Sequence, residues 1–271
     1  MPESIIEGFQ LSPQQKHLWL LQRGNHSLPY QAQCEILIEG NLNAEVLKAA
    51  IENAVNRHEI LRTSFRGLPE ITIPLQVIAE SSELSFQNYN LSDLAPQEQE
   101  HRLEVLFDEA KQLTFDFEKN SPLHTSLVKL SPHKHILLVS LPALCADTLT
   151  LKNLVSEISC SYAAILHNKE LSDEPLQYVD FSELQHELIE GEKAETVREY
   201  WRNIDVQALL GTKLPLEGKP SGKPEFQPQF FTEAIASHTK AKIEALVGTY
   251  NTSVSGFLLA CWQILLWRLT G

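Results

Sequence analysis

Positive charge is scarce in this chain. Lys and Arg number 22 against 35 Asp and Glu, giving a formal net charge of −13. No stretch gathers the basic residues onto one face. That excludes a nucleic-acid partner, because binding a phosphate backbone needs such a face. It equally disfavours an anionic membrane surface. Cysteine is sparse too. Cys34, Cys145, Cys160 and Cys261 lie far apart, each among apolar residues, with no CxxC and no Cys/His spacing of a zinc site. They read as reduced thiols of a cytoplasmic protein. The opening "MPESIIEGFQ" has no basic start and no long apolar run, so it is not a signal peptide. Internal repeats and low-complexity tracts are absent. The one long apolar run, "SVSGFLLACWQILLWRLTG" at 253–271, carries Gln263 and Arg268. It falls short of the ~20 apolar residues of a membrane span. It predicts a buried core helix, apolar nearly all round. Such a helix needs cover on every side, so self-association through residues 254–269 is one expectation.

What is present is ordinary globular material: 43% hydrophobic and 21% charged residues over 271 positions, enough for one large domain or two lobes. "LSPQQKHLWLLQ" (11–22) opens with a Ser-Pro cap and runs helical, with Leu18, Trp19 and Gln22 on one side. "YQAQCEILIEG" (30–40) alternates as a half-buried strand does. In "NLNAEVLKAAIENAVNRHEILRTSF" (41–65), Leu47, Ala50, Ile51, Ala54 and Val55 recur at helical spacing. Asn43 can cap that helix, which ends near His58 before an extended "EILRTSF". Residues 71–79 predict a strand, 97–114 an amphipathic helix, and 121–144 two strands joined by a turn at 131–135. Residues 148–166 predict a helix.

The first part, residues 1–170, therefore reads as an α/β lobe in βαβ-like order, a mixed sheet flanked by helices. "HNKELSDEPLQ" (167–177) fits a linker. Residues 171–271 read as the start of a second, incomplete lobe. It holds helices over 180–191, 193–204, 238–250 and 253–269, a long loop over 211–228, and a strand over 229–236.

Five segments, in order, resemble the condensation domain of nonribosomal peptide synthetases, of the chloramphenicol acetyltransferase-like fold. "LSPQQKHLWLL" is similar to the family's opening motif, S-x-A-Q-x-R-L-W, and "RHEILRTSF" (57–65) to its second. "YVDF" (178–181) resembles the fourth motif. "YW" at 200–201 and "LLWRLTG" also stand where the family has them. The resemblance implies two α/β lobes with a tunnel between them. It also implies that the chain covers the N-terminal lobe and only the beginning of the C-terminal one. Because the first motif lies close to the start, such a domain is expected to come first in its polypeptide and to receive its donor from another chain or from a fatty acyl carrier.

The third motif, H-H-x-x-x-D-G, falls on "PALCADT". Pro142 and Ala143 take the two histidine positions, Asp147 the aspartate and Thr148 the glycine. In the family the second histidine accepts a proton from the attacking amine or orients the tetrahedral intermediate. Alanine does neither, and a lost general base typically costs about 10²- to 10⁴-fold in rate. The resemblance also implies a structural ion pair between Asp147 and Arg62. Thr148 would narrow the tunnel where the acceptor's phosphopantetheine thioester enters, and Pro142 removes a backbone donor. Cys145 is the weak alternative nucleophile. It would need a base beside it, and His133 and His135 belong at the far end of the preceding strand. His58 reads as structural, near the Arg62 segment. The other histidines, His186 among them, are scattered and read as solvated.

Two functions stay open. One is an amide-forming domain with an altered site, active within a full-length synthetase, joining a carrier-bound acyl donor to a carrier-bound amine. The other is a silent condensation-like domain that docks a carrier protein or a neighbouring domain. An acyltransferase on a free small molecule would need the same missing histidine. No metal and no directly bound cofactor is implied; substrates would ride on the phosphopantetheine of carrier proteins.

Overall fold

A computed structural model describes residues 8–24, 30–67, 72–118, 121–169, 171, 173–191, 194–205, 214–215, 231 and 233–270. The chain divides into two compact units, Met1–Ala194 and Glu195–Gly271.

The first unit is built on a four-stranded sheet in the order β2-β7-β6-β5. Its strands are β2 (Gln31–Glu39), β5 (Ser85–Asn90), β6 (His124–Ser131) and β7 (Lys134–Pro142). β7 runs antiparallel to both neighbours, while β5 and β6 run parallel. The parallel pair needs a crossover, supplied by α3 (Pro96–Lys111). Among the described residues, only this β5–α3–β6 step has the parallel connection that a βαβ order implies. A second sheet, β1-β4-β3, pairs β1 (Phe9–Gln10), β4 (Leu75–Ile78) and β3 (Thr63–Arg66).

β7 is buried from His135 to Pro142 because both faces of the sheet are covered. Alternation sends Leu137, Val139 and Leu141 to one side. There they meet α2 (Ala44–Arg57) through Leu47, Ala50, Ile51, Ala54 and Val55, and α4 (Thr148–Leu166) through Leu151, Leu154 and Ile158. Ile136 and Leu138 go to the other side, against Leu106, Leu103 and Phe107 of α3. α2 starts where expected, with Asn43 accepting from the Glu45 and Val46 N–H groups. After it, Glu59–Arg62 makes one 3₁₀ turn before β3. Gly40 has φ +110, and its N–H closes the end of β2 onto the His133 carbonyl at 2.9 Å.

α1 (Pro13–Gly24) and α5 (Tyr178–Glu190) pack near β1. α5, which follows residue 170, is tied to the first unit by specific bonds. Ser182 Oγ donates to the Gln10 carbonyl at 3.0 Å, and His186 Nε2–H to the Leu11 carbonyl at 2.8 Å. His186 is therefore engaged rather than solvated. Just ahead of α5, Gln177 accepts from the Glu59 N–H and donates to the Arg57 carbonyl.

The second unit opens in α6 (Ala194–Arg202) and contains α7 (Ser237–Thr249) and α8 (Val254–Thr270), which meet at a bend of 100°. Residues 231 and 233–236 form no strand. Most of the expected 211–228 loop lies outside the described residues. Among the described residues no single helix is long and apolar enough to cross a membrane. α8 was expected to be buried, yet no residue of it is.

Candidate functional site

The junction between β7 and α4 carries the motif positions. Pro142 is fully buried and ends the strand opposite Gln31. Its carbonyl accepts from the Cys145 N–H at 2.8 Å and the Ala146 N–H at 3.2 Å, which folds 143–146 into a tight turn. The Ala143 N–H donates to the Tyr30 carbonyl at 2.8 Å. Leu144, Cys145 and Ala146 then point into the core, and Asp147 and Thr148 emerge exposed at the start of α4.

Asp147 is the N-cap of α4. Its Oδ1 accepts from both the N–H and the hydroxyl of Thr150, each at 2.7 Å. Those bonds, the backbone one first, hold its carboxyl below the usual carboxylate range. The ion pair expected between Asp147 and Arg62 is not formed. Arg62 donates instead to the Ala79 carbonyl and faces Glu59 at 3.4 Å. The reason is local. A helix N-terminus already satisfies the aspartate, and the 3₁₀ turn directs the arginine along β4.

Cys145 is not an available nucleophile. It is 6% exposed within the main core, and burial drives its thiol far up, so no thiolate forms near neutral pH. His135 is at the opposite end of β7, level with Ile38 and Lys129. His58 lies 3.8 Å from Glu157, which also holds Arg57 at 2.7 Å. Burial lowers the imidazole, with Glu157 opposing, so His58 belongs to a clasp between α2 and α4. Among the described residues no cluster of His, Cys, Asp and Glu could hold a metal.

What organises the junction is a buried polar network built on Gln15, which is 2% exposed. Its amide nitrogen donates to the Leu144 carbonyl at 3.0 Å and to Gln76 Oε1 at 3.1 Å. Its oxygen accepts from the Ser12 N–H at 3.0 Å. Gln76 passes the chain to the Gln10 carbonyl at 2.9 Å, and Ser12 Oγ meets the Tyr178 hydroxyl at 2.7 Å. Burial raises the Tyr178 phenol; the Ser12 bond opposes this, and Cys145 and Asp147 add to it. The network thus brings together the segments quoted for the first, third and fourth motifs. The sequence carried a signal for it. Gln15 stands three, four and seven residues before Leu18, Trp19 and Gln22, on the same inward helical stripe. A glutamine buried there is expected to bond internally. Gln76, in a short strand, gave no such signal.

The junction is a tight turn held by backbone bonds and by Gln15. The Ala143 side chain carries no polar atom, Pro142 has no N–H, the Cys145 thiol is buried, and Asp147 Oδ1 caps α4.

The comparisons agree with this fold. A family model of the condensation domain matches residues 6–271. Gramicidin S synthase 2 of Brevibacillus brevis is 25% identical over 271 residues, covering 100% of this chain and 6% of that protein. The condensation domain of the Monacolin K polyketide synthase MokA superimposes with a TM-score of 0.78 at 21% identity, covering 99% of this chain and 61% of that one. The X-domain from teicoplanin biosynthesis, solved in complex with OxyB, gives 0.75 at 22% identity, covering 98% of this chain and 58% of that one. The chain therefore spans about three fifths of the solved domains it matches, and a small fraction of the synthetase. With the fold, the motif order and a family match over nearly its whole length in agreement, this chain belongs to the condensation-domain family.

Proposed function

We propose that this chain is a condensation-like domain of a peptide synthetase whose motif site is silent for ordinary amide formation, and that it serves to dock a carrier protein or a neighbouring domain. The observation that carries the reading is Ala143 in the position of the family's second histidine, a side chain with neither acid nor base. Cys145 is buried as a thiol, and Asp147 caps α4. The turn is nonetheless fully bonded, through the Ala143 N–H and through Gln15 to Leu144. A framework kept intact around an absent base fits a surface held for recognition. The X-domain of teicoplanin biosynthesis, of the same fold, is solved in complex with OxyB, so holding a partner protein is one use to which this fold is put.

The reading is tested by mixing the chain with a loaded donor carrier and a loaded acceptor carrier, and following the acceptor by mass spectrometry. No amide product is expected. In parallel, titration of an isotope-labelled carrier should give localised, saturable NMR shifts. Amide product from the unmodified chain would overturn the silent-site reading. A carrier and flanking synthetase domains that all fail to bind would overturn the docking role.

A further inference from the structure

On the α2/α4 side of the main sheet lies an apolar pocket of about 180 Å³, open to solvent on one side. Its walls are Ile36 and Ile38 of β2, Leu137 of β7, Leu47 of α2, and Val155 and Ile158 of α4; Leu42, Ser159 and Tyr162 complete it. We propose that this cavity is a binding site for one compact apolar molecule of about six carbon atoms, such as a benzene-sized ring.

The size comes from the volume: an enclosed cavity of about 150 Å³ takes benzene, and this open pocket offers comparable room. The chemistry comes from the wall. The two polar side chains on it are turned to protein partners. The Ser159 hydroxyl donates to the Val155 carbonyl at 2.7 Å, and the Tyr162 hydroxyl accepts from the Asn43 N–H at 3.0 Å. An ordered water is held by two to four polar partners, so water on this mostly apolar wall is weakly held and easily displaced. A polar ligand would lose its hydration and find little in return.

The cavity cannot simply close. Leu47, Leu137 and Ile158 also belong to the main core, so collapse would drag α2, α4 and β7 out of register with the rest of it. Entry is available at the rim, where Ser159 is exposed and Ile36, Ile38 and Tyr162 are half-buried. The site is independent of the motif turn. Leu137 lies five positions before Pro142 on β7, roughly 17 Å away at about 3.4 Å per residue.

The test is a titration of the 271-residue chain with benzene, read by NMR of labelled Ile, Leu and Val methyl groups. Saturable shifts confined to the Ile, Leu and Val residues of the wall, Leu42 included, are expected, with a rise in Tm. Val155→Phe fills the space and should weaken benzene binding at least tenfold. Where that variant does not fold, Ser159→Leu at the rim should do the same. Shifts that never saturate overturn the proposal. So do shifts that spread equally to Leu106, Leu130 and Leu138 on the other side of the sheet, which would be general partitioning into apolar material.

Discussion

At the scale of single residues, the site depends on whether each buried polar atom has a partner. Gln15→Leu removes the donor to Leu144 and Gln76 and the acceptor for Ser12. Stranding a buried polar group costs about 1–3 kcal/mol, so chemical denaturation should show a loss in that range. A loss below about 0.5 kcal/mol would deny the network its role. Asp147→Ala should cost about 1 kcal/mol, as the loss of a helix N-cap does. Because Asp147 is held below the usual carboxylate range, its contribution is complete above about pH 4 and is lost as pH falls through the folded value. Arg62→Ala and Asp147→Ala should be additive within about 0.5 kcal/mol in a double-mutant cycle. A larger coupling would restore the ion pair that the sequence resemblance implied. That pair illustrates what a motif leaves out. Arg62 and Asp147 were legible as residues, but their partners are set by Thr150 and Ala79, which no motif mentions.

At the scale of elements, strong periodicity was read well and weak periodicity was not. α2, α4 and the β6–β7 hairpin lie where alternation and helical spacing put them, because each buries a continuous apolar stripe. β1, two residues long, and β5, "SFQNYN", were missed. β5 is an edge strand with little apolar surface, and its place is fixed by the crossover through α3. The strand expected from 71 is confined to Leu75–Ile78, after the Pro74 that precedes it. Ile51 is fully buried between α2, β7 and α4. Ile51→Ala should therefore cost about 2–5 kcal/mol in unfolding free energy. The same change at Leu149, exposed on α4, should stay within about 0.5 kcal/mol.

At the scale of the whole molecule, the two units differ in how far they satisfy their own apolar surface. The first has a core on both faces of its sheet. The second leaves Leu258, Leu259, Trp262, Ile264, Leu265, Trp267 and Leu269 of α8 exposed. Contiguous apolar patches beyond a few hundred Å² are rarely left bare. Light scattering should accordingly show a mass that rises with concentration, and Trp262→Lys with Leu265→Lys should suppress the rise; a monomer at every concentration would speak against self-association. The helix itself was legible in sequence, but its cover was not, since periodicity reports that a face is apolar and not what lies on it. Whether the motif turn works as a catalyst is separable from this. The most direct measurement places "PALCADT" (142–148) into a complete, active condensation domain and compares its rate with that of a second graft in which the Ala143 position is returned to histidine and the Thr148 position to glycine. The first graft should form amide product about 10²- to 10⁴-fold more slowly than the parent, and the second should recover most of that loss. A first graft as fast as the parent would contradict the silent-site reading.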